Sequence, residues 1–344
     1  MIDRPIKTGL LAFGMSGRIF HAPFLNTHPG FNFTAVTERS QKKAKAFYPG
    51  VKSYPTTEEL IQDEELELII VNTPNDTHYK YAEQALLAGK HVLIEKPFAT
   101  SLPEAKELYV LAGKQQRHVM AFQNRRNDSD FESVKNVIES HRLGKLIEVH
   151  FRFDRYRPQI EAKAFKELPV PGSGLAYNLG PHLLDQVISL FGKPLQCHKS
   201  VGANRNGSQV DDYAFFHLIY GGNLNVFIHV SLLVARALPA FVIHGTNGSY
   251  IKDRTDTQEK QLDQGISPLD AEYGMELPGS EGELTLVEAD GQRKMIKWPS
   301  IKGNYAQIFE AVYQQIRNNR TYPIRPEHIL WQLEILEGPV NVIN

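Results

Sequence analysis

Apolar residues in the first 122 positions come in short dense runs separated by amphipathic stretches. Thr8–Phe13, Phe33–Val36, Leu66–Asn72, His91–Glu95 and Val119–Phe122 are rich in Val, Ile, Leu and Phe and lack clean polar–apolar alternation, the pattern of strands buried on both faces. Between them lie helical stretches. Asp76 to Ala88 places Ala82, Ala85 and Leu86 at helical spacing and ends at Gly89. Ser101-Leu-Pro-Glu104 has the spacing of a capping box, with Pro103 where the first helical turn tolerates it. Strands alternating with helices at this spacing predict a parallel, doubly wound sheet.

The pattern changes near residue 123. Asn124–Asp130 is polar and loop-like, and Phe131–Glu139 reads as a helix. Ile147–Phe153, Ala214–Tyr220, Leu224–Leu233 and Phe241–His244 then read as antiparallel strands, with turn signals at Gly221-Gly222-Asn223 and Thr246-Asn247-Gly248. This half is expected to be an α+β domain with an open sheet, one face of it free. Residues 253–282, rich in Gly, Asp and Glu, read as a long irregular insertion. The boundaries drawn are 1–122 for the first domain and 123–344 for the second, and 344 residues at about 150 per domain agree with two.

Composition narrows the class. The 38 Lys+Arg against 39 Asp+Glu leave a net charge of −1, which removes the electrostatic argument for nucleic acid or an anionic membrane as partner. The 42% hydrophobic content is too high for disorder. One cysteine, Cys197, allows no internal disulfide and fits a reducing compartment. The longest near-apolar stretch, Leu224 to Ala235, is too short to span a bilayer, and Met1–Lys7 has no apolar leader core, so a cytoplasmic protein is expected. The thirteen histidines show no H-x-x-x-H spacing and there is no C-x-x-C, so no metal is expected. No G-x-S-x-G elbow is present either, which removes the α/β-hydrolase reading.

Two places carry candidate chemistry. Ala12-Phe-Gly14-Met-Ser-Gly17 follows the first strand and opens a helix: a G-x-G-x-x-G fingerprint with Ala in its first place. The motif needs a tight turn, close backbone approach to a pyrophosphate at Gly14 and close packing at Gly17, with the helix N-terminus cradling phosphate. At the end of the second strand, Glu38 suits the ribose hydroxyls of NAD, whereas Arg39, Ser40 and Lys42 suit the 2′-phosphate of NADP, and Arg39 could stack on adenine in either case. Glu95-Lys96-Pro97 lies at the carboxyl end of a strand, where such sheets bind ligands. The second place is Gly172 to Asp185. Pro181 suits a first helical turn, the helix runs to Phe191 with Gly192 as its stop, and Leu184, Val187, Ile188 and Phe191 form its buried face. His182 and Asp185 fall on the opposite face, as a polar stripe turned either to solvent or to a cleft, and Asn178 joins them if the turn before Pro181 is helical.

Together Ala12-x-Gly14-x-x-Gly17, Thr73-Pro74-Asn75-x-x-His78, Glu95-Lys96-Pro97 and Asn178-Leu-Gly-x-His182-x-x-Asp185 resemble the Gfo/Idh/MocA oxidoreductases over the whole chain. Phe13–Phe24, Gln123-Asn-Arg-Arg126 and Arg155-Tyr-Arg-Pro158 resemble the branch that contains NADP-dependent scyllo-inositol dehydrogenases. The resemblance implies a Rossmann domain, a C-terminal α/β domain with a large mixed, mainly antiparallel sheet, and homodimers or homotetramers formed through that sheet. It implies a dinucleotide, NADP favoured over NAD, held by Phe13, Gly14, Ser16, Gly17, Arg18, Ile19, Glu38, Arg39, Ser40, Thr73, Pro74, Asn75, His78, Glu95, Lys96, Pro97 and Arg125. It implies catalysis by Lys96 and His182 with Asn178, and a polyol or sugar substrate lined by Lys96, Arg126, Tyr156, Asn178, His182 and Asp185; from the residues alone, Arg125 and Arg126 could equally pin the two domains together, and Tyr156 could be part of a polar strand end. Two positions depart from the pattern: most relatives carry Asp at position 178 and those of this branch Trp at 127, where this chain has Asn178 and Asn127. The expectation is an NAD(P)-dependent dehydrogenase of a secondary alcohol. Its alternatives are an NAD-dependent glycosidase on the same fold and a non-enzymatic dinucleotide sensor.

Overall fold

The structure is a computed structural model that describes residues 4–39, 42–160 and 167–340. Its contacts divide the chain into two compact units. The first holds residues up to Asn124 together with 258–273 and 304–330; the second holds 125–257, 274–303 and the chain from Trp331 on.

The first unit contains a six-stranded sheet: β1 (Ile6–Leu10), β2 (Phe31–Thr37), β3 (Lys52–Tyr54), β4 (Leu68–Val71), β5 (His91–Ile94) and β6 (Val119–Ala121). All neighbours pair parallel in the order β3-β2-β1-β4-β5-β6. The four residues of β4 are wholly buried, as the unbroken apolar run demands. Sequence pattern predicts five of these strands. The sixth, β3, is an edge strand of three residues whose Lys52 is exposed, too short and polar to register. The Ser101 capping box is present: Ser101 Oγ accepts from the Glu104 N–H at 3.4 Å, and Glu104 Oε2 accepts from the Ser101 N–H at 3.2 Å. Late in the chain, the helix Ala306–Asn318 adds Phe309 to this unit's core, stacked on Phe24 with centroids 4.9 Å apart.

The second unit is built on an eight-stranded sheet: β7 (Leu146–Asp154), β8 (Gln196–Gly202), β9 (Tyr213–Tyr220), β10 (Leu224–Ser231), β11 (Phe241–Gly245), β12 (Gly248–Lys252), β13 (Gly282–Val287) and β14 (Arg293–Trp298), in the order β14-β13-β12-β11-β7-β10-β9-β8. Every pairing is antiparallel except β7 with β10, which is parallel. The sheet is therefore mixed, where strand pattern alone predicts antiparallel pairing, and four of its strands (β8, β12, β13, β14) lie outside the predicted set. Residues 253–282 are irregular apart from a short helix, Gln258–Asp263. Among the described residues no helix is long and apolar enough to cross a membrane, and no group of three His, Cys, Asp or Glu is placed to hold a metal ion.

Candidate active site

In the first unit the loops at the carboxyl ends of β1, β2 and β4 enclose a cavity of about 650 Å³. Phe13, Gly14, Glu38, Arg39, Thr73 and Pro74 line it, all named by the sequence, and Lys43 and Tyr81 join them. The sheet's strand order reverses between β1 and β4, the crevice at which doubly wound sheets take their ligands.

The turn after β1 is fixed by a residue outside the predicted set. Asn72, just past the end of β4, accepts from the Ala12 N–H through Oδ1 at 3.0 Å and donates to the Ala12 carbonyl through Nδ2 at 2.8 Å. A polar residue closing an otherwise apolar strand is the signal that marks it. Ala12 is not among the residues with positive φ, so Ala serves where the fingerprint has glycine. Gly17 admits no side chain, because a Cβ there would collide with the Ala12 carbonyl and stand 2.9 Å from Asn72 Nδ2. At Gly14 a Cβ would meet no protein atom within 4 Å. The turn thus leaves open space over Gly14, and the Ser16–Gly17 end of the following helix presents backbone N–H groups; both features fit a dinucleotide pyrophosphate. Ile19 is buried in the core, and Arg18 reaches Asp263 at 3.5 Å.

Glu38 is buried and engaged by its own chain. Its Oε1 accepts from the backbone N–H of Lys43 (2.7 Å) and Ala44 (3.0 Å), and Oε2 from the Ser53 hydroxyl (3.0 Å). The carboxylate thereby ties the start of the helix Ala44–Phe47 to the edge strand β3. Arg39, Lys42 and Lys43 are exposed at the end of β2. Ser40 lies outside the described residues.

Glu95 follows β5 and Lys96 comes next, joined to Pro97 by a cis peptide bond. Glu95 Oε1 accepts from the Ser16 hydroxyl at 2.6 Å and from His21 Nε2 at 2.9 Å, while Oε2 accepts from the Lys96 N–H at 3.1 Å. Burial works to raise the carboxyl pKa. The hydrogen bond and charge of His21, the Ser16 hydroxyl and the charge of Lys96 outweigh it and hold the group down at about 2. His78 is buried, with Nδ1 2.7 Å from the Pro97 carbonyl and Nε2 2.9 Å from the Thr73 carbonyl, so it fastens the loop after β4 to the loop after β5. Burial lowers its pKa against the pull of those carbonyls. Asn75 opens the short 3₁₀ turn Asn75–Thr77 that leads into His78.

In the second unit the segment before Pro181 is helical. Leu175–Asn178 forms one turn and runs through Leu179 (φ −106°, ψ −29°) into the helix Gly180–Phe191. Asn178, exposed, and His182 therefore sit one turn apart on one helical path. Asp211 caps this entry: its Oδ2 accepts from the Ala176 N–H at 2.6 Å. Gly174 makes the approach with φ +84°, where a Cβ would collide with Asp211 Oδ1.

The helix departs from the expected amphipathic reading. Gly180 to Ile188 are buried without a break, His182 and Asp185 included, while Phe191 is only half-buried. Arg126 pairs bidentately with Asp185 (Nε to Oδ2 2.6 Å, Nη2 to Oδ1 2.8 Å) and satisfies the buried carboxylate. Burial pushes the Asp185 carboxyl upward against the pull of Arg126. Gln186 donates to the Arg125 carbonyl at 2.8 Å, a second tie between this helix and the 124–127 turn. Arg125 pairs with Asp128 at 3.2 Å and shares the Phe153 ring with Arg155 and Arg254. Tyr156 is exposed beside its bridge to Leu233.

Comparison with known proteins agrees with this architecture. Residues 6–123 match the family described as "Oxidoreductase family, NAD-binding Rossmann fold", and residues 135–341 match its "C-terminal alpha/beta domain". The chain belongs to the Gfo/Idh/MocA oxidoreductase family: it is an oxidoreductase with a nicotinamide dinucleotide-binding Rossmann domain. It is 37% identical to an uncharacterized oxidoreductase of Schizosaccharomyces pombe, over 97% of this chain and 96% of that protein. It is 30% identical to the scyllo-inositol 2-dehydrogenase (NADP(+)) IolW of Bacillus subtilis, over 97% and 92%. A crystal structure of a putative oxidoreductase from Bacteroides fragilis superimposes with a TM-score of 0.87 at 39% identity, covering 97% of this chain and 96% of that one.

Proposed function

We propose that the protein is an NADP-preferring dehydrogenase that interconverts a secondary alcohol and a ketone on a polyol or sugar of inositol type. The observation that carries this reading is the placement of Lys96 at the carboxyl edge of β5, its N–H bound to a carboxylate that also takes the hydroxyl of the dinucleotide-turn residue Ser16. The likeness to the IolW dehydrogenase along nearly the whole chain supports the substrate class. The engagement of Glu38 by Lys43, Ala44 and Ser53 supports the cofactor choice, because Arg39 and Lys43 are left as the exposed groups at the cavity's adenosine end.

The turn from Ala12 to Gly17, with Arg39, Thr73 and Pro74, would hold the dinucleotide. Bound there, a nicotinamide dinucleotide supplies the hydride acceptor or donor. In the oxidative direction His182 takes the proton of the substrate hydroxyl as general base. The Lys96 ammonium stabilises the negative charge that develops on that oxygen. Asn178 cannot titrate; its amide orients a ring hydroxyl. In reduction His182 returns the proton to the carbonyl oxygen.

A panel of polyols and sugars that includes scyllo-inositol, followed at the reduced-nicotinamide absorbance with each dinucleotide, tests the reading. Turnover of an inositol-type polyol, faster with NADP, is expected. Dinucleotide binding with no oxidation of any member overturns it. The assembly proposed is a homodimer or homotetramer through the outward face of the eight-stranded sheet, where Phe215 and Phe227 stack among His150, His217 and His229. Light scattering that gives the 38.9 kDa monomer mass overturns this. The single cysteine and balanced charge support a cytoplasmic setting.

A further inference from the structure

Glu95 is an unusual group to find under a nucleotide-binding turn. It is buried and ionised, and its partners come from three separate places: Ser16 in the turn, His21 one turn further along the same helix, and the peptide of Lys96. Since an ionised carboxylate has no hydrogen to give, His21 Nε2 is the donor, and the side chain of His21 is wholly buried against Phe122, with ring centroids 4.4 Å apart. Replacing any one partner would leave a buried acceptor short of a donor.

We propose that Glu95 is a positioning residue that joins the dinucleotide-binding turn to the catalytic lysine: through Ser16 and His21 it holds the turn, and through the Lys96 peptide and its negative charge it sets the place and the acidity of the Lys96 amine. The proposal rests on the assignment of Lys96 as the group that acts on the reacting oxygen. Titratable groups in electrostatic reach of Glu95 include His21, Lys96 itself and His78. His21 and Lys96 favour its charged form, and His78 already lies between two carbonyls. Glu95 thus makes the filling of the cofactor turn and the readiness of the lysine parts of one arrangement, although its carboxylate touches neither ligand in this account.

The test follows the lysine directly. The protein is reductively methylated with isotope-labelled formaldehyde, and the Lys96 resonance, identified by its loss in Lys96→Met, is titrated with pH. Glu95→Gln is expected to lower the Lys96 midpoint by about one pH unit, because an adjacent opposite charge is gone. The same variant should weaken NADPH binding roughly three- to tenfold, the scale of one lost hydrogen bond. Ser16→Ala should move the midpoint the other way by about a few tenths of a unit, because the carboxylate loses a competing donor. In the Ser16→Ala/Glu95→Gln double variant, NADPH binding should be no weaker than in Glu95→Gln alone, since both changes break the same link. A folded Glu95→Gln with an unmoved Lys96 midpoint and unchanged NADPH affinity overturns the proposal. If Glu95→Gln does not fold, an unmoved midpoint in Ser16→Ala does so. Full turnover in Lys96→Met, by contrast, overturns the catalytic assignment and leaves the link between Glu95 and the turn standing.

Discussion

Two glycines of the dinucleotide turn do different work. Gly17 is required by the protein itself, since its neighbours are the Ala12 carbonyl and Asn72. At Gly14 a Cβ meets no protein atom within 4 Å, so the fold itself does not require the glycine; under the proposed function the dinucleotide does. Gly14→Val should therefore melt near the wild-type temperature yet lose dinucleotide binding in a titration, whereas Gly17→Ala should lose thermal stability as well. At the other end of the cavity, Arg39→Ala should weaken NADPH by about one to two decades and NADH far less, the value of one charge-assisted contact; equal losses would assign Arg39 to adenine stacking. Glu95 also sets an acid-stability signature. Its folded pKa of about 2 lies below the ordinary 4.5, so the unfolded chain binds the extra proton between those values. The stability that ionised Glu95 contributes is present above that window and is lost as pH falls through it. Denaturant unfolding should show a shallower acid loss in Glu95→Gln than in wild type. Much of this was legible in the sequence as residue types: the glycines, Glu38 and the Glu95-Lys96-Pro97 run all stand out. What was not legible is which acceptor each carboxylate satisfies. Glu38 reads as a candidate ribose ligand, and the sequence carries no sign that Lys43, Ala44 and Ser53 also bind its carboxylate.

Elements were legible in proportion to their burial. The fully buried β4 and the buried Val92–Ile94 of β5 were plain as unbroken apolar runs, whereas β3 and β14, edge strands with exposed polar positions, carry no such run. The parallel β7–β10 pairing could not be read at all, because strand pattern reports which face is covered and not which neighbour a strand finds. The helix Gly180–Phe191 teaches the same lesson from the other side. Its polar stripe was visible, but the partner of its buried Asp185, Arg126, lies 59 positions earlier in the chain. Arg126→Met should destabilise the fold by about 3–5 kcal/mol, because it strands the buried Asp185 carboxylate. Adding Asp185→Leu should restore part of the loss. Thermal melts of the two variants check this; a lone Arg126→Met with unchanged stability would remove the pair from the helix's support.

At the scale of the molecule, the residues proposed for the chemistry lie far apart along the chain. The first unit carries the dinucleotide turn and Lys96, the second unit carries Asn178 and His182 on one helical path. The stretch read as an irregular insertion is anchored rather than loose: Glu276 accepts from the buried Lys252 at 2.8 Å, from Ser129 Oγ at 2.9 Å and from Thr255 Oγ1 at 2.8 Å. No local pattern signals such a tie, since its members are spread from residue 129 to 276. The proposed function turns on His182 as the proton-transfer residue of the dehydrogenase. It is tested most directly by the turnover of His182→Ala on the best substrate of the polyol and sugar panel, measured beside its NADPH affinity. In the variant kcat should fall by roughly two to four decades, the usual contribution of a general acid–base group, while NADPH affinity stays within about twofold of wild type. Near-full turnover in a folded His182→Ala protein would contradict it.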